Sequence, residues 1–145
     1  MGVGSVGAST AMRETDDSYE SLNGMIRHLS TALITTVDTT GIVHTRQLQH
    51  AATDNGDDAT DLWFPSSRDT PIIAEMRNHP GVVVTYADRT AGRFLVVNGI
   101  ARIRRDRGGA RSRWSPALAT WFPGGPGDPA MVLLHVTVTS FDLWE

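Results

Sequence analysis

The side chains available for chemistry are few in kind. Among 145 residues there is no Cys. That removes disulfides, thiolate nucleophiles, iron–sulfur clusters and cysteine zinc sites together. There is no Lys either, and all 13 basic residues are Arg. A Schiff-base lysine, a lysine general base and a phosphate-loop lysine are therefore excluded. The histidines are His28, His44, His50, His79 and His135, and none forms a ligand pair at helical spacing. His44, Arg46, Leu48 and His50 share strand parity and would face one way. That arrangement reads as a solvent-facing strand rather than a metal pair, so no metal site is expected. Asp16-Asp17 and Asp57-Asp58 fall in polar stretches, and no Ser stands in a nucleophile elbow.

What remains is an arginine, a helix start and paired aromatics. Thr70-Pro71 opens a helix, with Thr expected to cap the free amides and Pro suited to the first helical position. A helix N-terminus attracts phosphate through its amides and dipole. Arg46 offers a charged fork for the same group. Trp63-Phe64 comes just before that helix start, and Trp121-Phe122 opens a Pro/Gly-rich loop. Apolar surface beside a phosphate grip suits a flat phosphorylated cofactor. Two other signals are weaker. Gly2-x-Gly4-x-x-Gly7 has dinucleotide spacing, but no strand precedes it and no helix follows closely, so it reads as chance. Arg102, Arg104, Arg105, Arg107, Arg111 and Arg113 surround Asp106. A nucleic-acid platform would interleave aromatics with those charges, and only Trp114 is there, so the cluster reads as a solvated strand end and helix face.

The elements that must position these residues are short. Residues 1–17 are rich in Gly, Ser, Thr and acids and read as a flexible tail. Leu22, Met25, Ile26 and Leu29 mark one stripe of a helix. Residues 32–37 and 42–49 flank the turn Asp38-Thr39-Thr40-Gly41 and predict a hairpin. A short strand over 62–64 is expected to end at Pro65. The helix from Thr70 is expected to run to about Asn78, stopped by Pro80, with Ile72, Ile73 and Met76 as its apolar face. Strands are expected over 82–87 and 93–104, and a helix over 108–120 if Pro116 lies in its first turns or kinks it. Two further strands, 131–138 and 141–144, close the chain. The expected fold is mainly β (α+β): a six-stranded antiparallel split β-barrel with short flanking helices, occupying residues 18–145.

Composition agrees with one globular domain. Hydrophobic residues are 40% and charged residues 20%, with a net charge of −3. An acidic chain of this kind is not a general polyanion binder. No apolar run approaches the ~20 residues of a membrane helix, and the start has no signal-peptide pattern. A cytoplasmic protein without membrane or nucleic-acid partners is expected. Apolar strands such as Phe94-Leu95-Val96-Val97 and Val132-Leu133-Leu134 exceed what one thin core uses, which points to a two-fold homodimer.

Several stretches carry a resemblance: LITTVDTTGIVHTRQLQ, LWFPSSRDTPIIAEMRNHPGVVVTYAD, VNGIARIRRDR, WSPALATWFPGGPGDPAMVLLHV and the final Trp144. From about Tyr19 to Glu145 the chain resembles the general-stress-protein branch of the pyridoxamine 5′-phosphate oxidase-like, FMN-binding split barrels. WFPGG…DP…LL is the most specific part. The resemblance implies a split barrel, a homodimer and FMN held at the dimer interface. It implies that Arg46 and Thr70 reach the FMN phosphate. It implies that Gln47 and Leu48 run their backbone along the flavin ring. Trp63, Phe64 and Ser66 would lie beside the ring and ribityl chain, and Trp121 and Phe122 near the interface. Many relatives carry a phosphate-binding Lys two residues after the Ser/Thr, where this chain has Ile72, and the true oxidases carry another near Ala51. A weaker phosphate grip is implied, and vitamin B6 oxidation is not. The resemblance points to a flavin-dependent oxidoreductase. The alternative is a non-catalytic flavin-binding or stress protein on the same fold. A deazaflavin or heme in the same groove is a third reading.

Overall fold

The computed structural model describes residues 31–49, 60–105 and 107–144, together with Gly24, Ile26 and Leu29. The expected tail, most of the first helix, His28, His50, the 54–58 loop and Asp106 lie outside these residues. Gly24 and Ile26 are helical, and Ile26 is buried in the main core with Leu29 packed against it.

Strands β1 (Thr31–Val37) and β2 (Val43–Gln49) pair in one unbroken register. Asp38 makes their turn. Its Oδ1 accepts from the Thr40 amide at 2.8 Å and the Ile42 amide at 2.9 Å, an aspartate turn of the usual kind. Gly41 takes a φ of 87° that a side chain would resist. Then follow β3 (Asp61–Ser67), α1 (Pro71–Asn78), β4 (Gly81–Asp88), β5 (Arg93–Arg104), α2 (Arg107–Ser112), 3-10 turns at Pro116–Thr120 and Gly125–Gly127, and β6 (Met131–Trp144). All strand pairs are antiparallel, in the order β2-β1-β4-β5-β6-β3. The edge strands β2 and β3 come alongside each other without a ladder between them. The sheet is therefore a curled half-barrel, as the strand count and hairpin order predict.

Alternation sets the core. Ile34, Val84, Val97, Leu134 and Val136 point inward and are fully buried, each such side chain contributing about 1.5–3 kcal/mol. α1 closes this core with Ile72, Ile73 and Met76. β6 is buried on both faces. Its outward Met131 and Leu133 lie under Ala110, Leu118 and Phe122 from the 107–130 segment, with Trp63 and Trp114 packed beside them. This second core covers Leu133 within one chain, so part of the apolar surplus read from the sequence is used internally.

Three element boundaries differ from expectation. β3 continues through Pro65, which pairs with Leu133. A proline fits there because β3 is an edge strand and needs no amide on its free side. The two closing strands are one: Gly99 pairs with Val138 and Asn98 with Ser140, so Thr139 is a bulge that β6 absorbs without ending. The 108–120 helix breaks at Pro116 into α2 and a 3-10 turn, as a proline ring inside a helix dictates.

Candidate functional site

Arg46 is fixed before any ligand arrives. It faces inward on β2, opposite Ile34 of β1, and meets α1 at Glu75. Arg46 Nη1 donates to Glu75 Oε1 at 2.7 Å and Nη2 donates to Oε2 at 2.9 Å. The fully buried Thr36 donates its hydroxyl to the same Oε1 at 2.7 Å. Glu75 is only 7% exposed. The Arg46 hydrogen bonds hold the Glu75 carboxyl below the usual carboxylate range, against burial, which pushes it up; Thr36 adds to the lowering. Glu75 in turn holds the Arg46 guanidinium above its ordinary value. Beside this pair, His44 Nε2 contacts Asp38 Oδ2 at 2.9 Å.

A pH prediction follows from the sign of the Glu75 shift. A carboxyl depressed in the folded state contributes stability above its ordinary pKa and loses it as pH falls through the folded value. Wild-type protein should therefore lose stability between about pH 5 and 3, and Glu75→Gln should lose measurably less over that window. Urea midpoints at the two pH values check this. Equal losses would show that Glu75 is not held by Arg46.

The helix start works differently from the expected cap. Thr70 occupies the N-cap position, but its side chain makes no cap hydrogen bond. Its hydroxyl instead donates to the Ser67 carbonyl at 3.1 Å, which braces the turn from β3 into α1. The Thr70 carbonyl accepts from the Ile73 amide at 3.2 Å. The sequence rule located the helix start and misassigned the hydroxyl's partner, which is a carbonyl of the preceding turn rather than a free helix amide.

The remaining candidates divide between the faces of the sheet. Leu48, Phe64 and Ser66 are on the inward side with Arg46. Phe64 has no exposure at all and belongs to the main core, so any part it has in a ligand site is through its backbone. Gln47 faces outward and is exposed. Trp63 faces outward on β3 and stacks on His135, with ring centroids 4.0 Å apart and planes 1° from parallel. The Arg113 guanidinium lies over the same ring at 3.8 Å. Two groups cannot share one ring face at these distances, so both faces of Trp63 are taken. Phe122 is buried in the second core, whereas Trp121 is 71% exposed.

The sequence reading missed Glu75, Thr36 and the group around His135. His135 Nε2 donates to Asp61 Oδ1 at 2.6 Å, and Arg104 Nε donates to His135 Nδ1 at 3.4 Å. With Nδ1 accepting from Arg104, the hydrogen on Nε2 points at Asp61. Two of the clustered arginines, Arg104 and Arg113, thus serve His135 and Trp63. Glu75 had a sequence signal: a lone acid inside the apolar stripe of Ile72, Ile73 and Met76. Among the described residues no group of His, Asp and Glu could hold a metal ion, and no helix is long and apolar enough to cross a membrane.

A curled six-stranded antiparallel half-barrel, with an arginine on one edge strand and a helix start after the other, defines the split-barrel class. The pyridoxamine 5′-phosphate oxidase-like family matches residues 17–145, and the chain belongs to it. General stress protein 26 of Bacillus anthracis str. Sterne has a similar structure, with a TM-score of 0.73 and 21% identity over 86% of this chain and 92% of that one. The general stress FMN/FAD binding protein of Xanthomonas citri gives 0.75 and 22%, over 90% and 89%. Protein bli-3 of Neurospora crassa is 25% identical in an alignment 134 positions long that covers 86% of this chain and 63% of that protein. The chain thus spans less than two thirds of the length of that relative.

Proposed function

We propose that this protein binds a flavin, FMN, and serves as a flavin-dependent oxidoreductase of its family. The observation that carries the reading is the open seam between β2 and β3. The backbone of Gln47 and Leu48 lies on one side of it and the end of β3, with Trp63, Phe64 and Ser66, on the other. Family membership and a structural neighbour described as an FMN/FAD binding protein support the same ligand. Bound flavin supplies the redox chemistry, and the protein's work is to bind and orient it. Arg46 and Thr70 stand at the phosphate end, and Trp121 and Phe122 belong to the loop assigned to the interface.

The fit is better for the ring than for the phosphate. No Lys is available, Ile72 is 1% exposed in the core, and Arg46 is already paired. These facts favour a second reading, a flavin-binding or stress protein without catalysis. The two separate in one experiment. Protein mixed with FMN and passed through a desalting column should retain flavin. Anaerobic addition of NADH or NADPH should then bleach it. Retention without bleaching by either donor selects the non-catalytic reading, and no retention overturns both.

The proposal includes a homodimer. Leu33 is 45% exposed, Phe94 55% and Ile100 38% on the outer face of β1 and β5, and Val43 on β2 is 60% exposed. An apolar sheet face of this kind seeks a partner. Light scattering should give about twice the 15.7 kDa chain mass. A monomer at micromolar concentration would remove the shared groove.

A further inference from the structure

Glu75 occupies the two Arg46 nitrogens that a ligand's phosphate would use. Its two oxygens take Nη1 and Nη2 of Arg46 side by side, the geometry with which a guanidinium takes a carboxylate or a phosphate. It is not a surface carboxylate that can swing aside. It is 7% exposed, it accepts the hydroxyl of the fully buried Thr36, and it rides on a helix whose neighbouring Ile72, Ile73 and Met76 are locked in the core. A phosphate brought to Arg46 meets a fixed negative charge.

Apart from Arg46, no described arginine contacts that charge. The chain has no ammonium group on any side chain. At the start of α1, Arg68 lies 3.9 Å from Asp69 and donates toward the Pro129 carbonyl at 3.5 Å. The charges described there balance: Arg46 against Glu75, Arg68 against Asp69. The Thr70 hydroxyl already donates its hydrogen bond to the Ser67 carbonyl, and Pro71 has no amide to offer. A phosphate at this end therefore finds Arg46 and the Thr70 hydroxyl already paired, and Arg68 with an acid beside it.

We propose that Glu75 is a built-in substitute for the ligand phosphate. The site then selects a flavin by its ring and sugar-alcohol chain, and takes the unphosphorylated and monophosphate forms about equally. This rests on the flavin reading above and widens its ligand from FMN to flavins irrespective of the terminal phosphate.

The test is a parallel titration of the full chain with riboflavin and with FMN, followed by flavin fluorescence. The expected dissociation constants agree within about threefold, and FMN binding changes little between about 0.05 and 0.5 M salt because no exposed charge pair is formed. Glu75→Gln, which keeps the side-chain size, should tighten FMN about tenfold and leave riboflavin unchanged. A general structural effect would move both ligands together. If that variant does not fold, the wild-type ratio decides alone. FMN binding more than about thirtyfold tighter than riboflavin, with the preference lost in Arg46→Gln, would overturn the proposal and leave the flavin reading intact. Binding of neither flavin would overturn the flavin reading and this proposal with it.

Discussion

Replacing Phe64 by Ala is expected to cost about 3–5 kcal/mol of folding stability, the range for truncating a buried aromatic side chain. Phe64 has no exposure and packs in the main core on the inward face of β3. Its strand is an edge with a single hydrogen-bonded neighbour, β6, so the sheet has little means of closing around the cavity. For a domain of this size such a loss lowers the melting temperature by on the order of 10 °C. Trp121→Ala is the matched comparison: the ring is 71% exposed, and its loss should cost about 0.5 kcal/mol or less. Denaturant midpoints with unchanged slopes measure both. A small effect at Phe64 would mean that its ring faces a groove, as a direct flavin contact requires.

The second large effect is expected at Gly99. A Cβ there would lie 2.4 Å from Val136 Cγ1 and 2.7 Å from the Thr137 carbonyl oxygen. The valine methyl can rotate, but the carbonyl belongs to the backbone of β6 at the bulge. Gly99→Ala should therefore destabilise by about 3 kcal/mol, the upper range for overpacking. Gly81→Ala is the contrast, since nothing lies within 4 Å of a Cβ there; it should be neutral or slightly stabilising through the unfolded chain. Equal melting temperatures for the two variants would show that the β5–β6 register near Gly99 is not as described.

Local punctuation made much of this fold legible. Thr70-Pro71 and Pro80 bracket α1 because proline acts on its own backbone, whatever surrounds it. Asp38 and Gly41 mark the first hairpin for the same reason. β5 was readable over its full length because residues 93–104 are rich in apolar and β-branched side chains, Phe94-Leu95-Val96-Val97 above all. The misreadings are all places where a distant partner decided. Pro65 is tolerated because β3 is an edge, which no window around residue 65 reveals. Thr139 interrupts alternation in β6 yet does not end it, because Gly99 on the neighbouring strand leaves room for the bulge.

The candidate site divides in the same way. The inward parity of Arg46 and Leu48 follows from strand period alone, and so does the outward parity of Trp63. What those side chains touch does not. Arg46 and Glu75 are 29 positions apart, and His135 meets Asp61 across 74. Such pairs form only when β2 is laid against α1 and β6 against β3. The expectation that Arg46 reaches a flavin phosphate carried no sign of the first of these contacts. Ile72 stands where the resemblance implies a lysine, and Arg46 is paired with Glu75.

The most direct measurement is the visible absorbance of the purified protein as FMN is added, read again after denaturation. The account predicts a shifted, structured flavin band that saturates near one flavin per chain and reverts to the free spectrum on unfolding. A spectrum that stays the sum of free flavin and colourless protein at every concentration would contradict it.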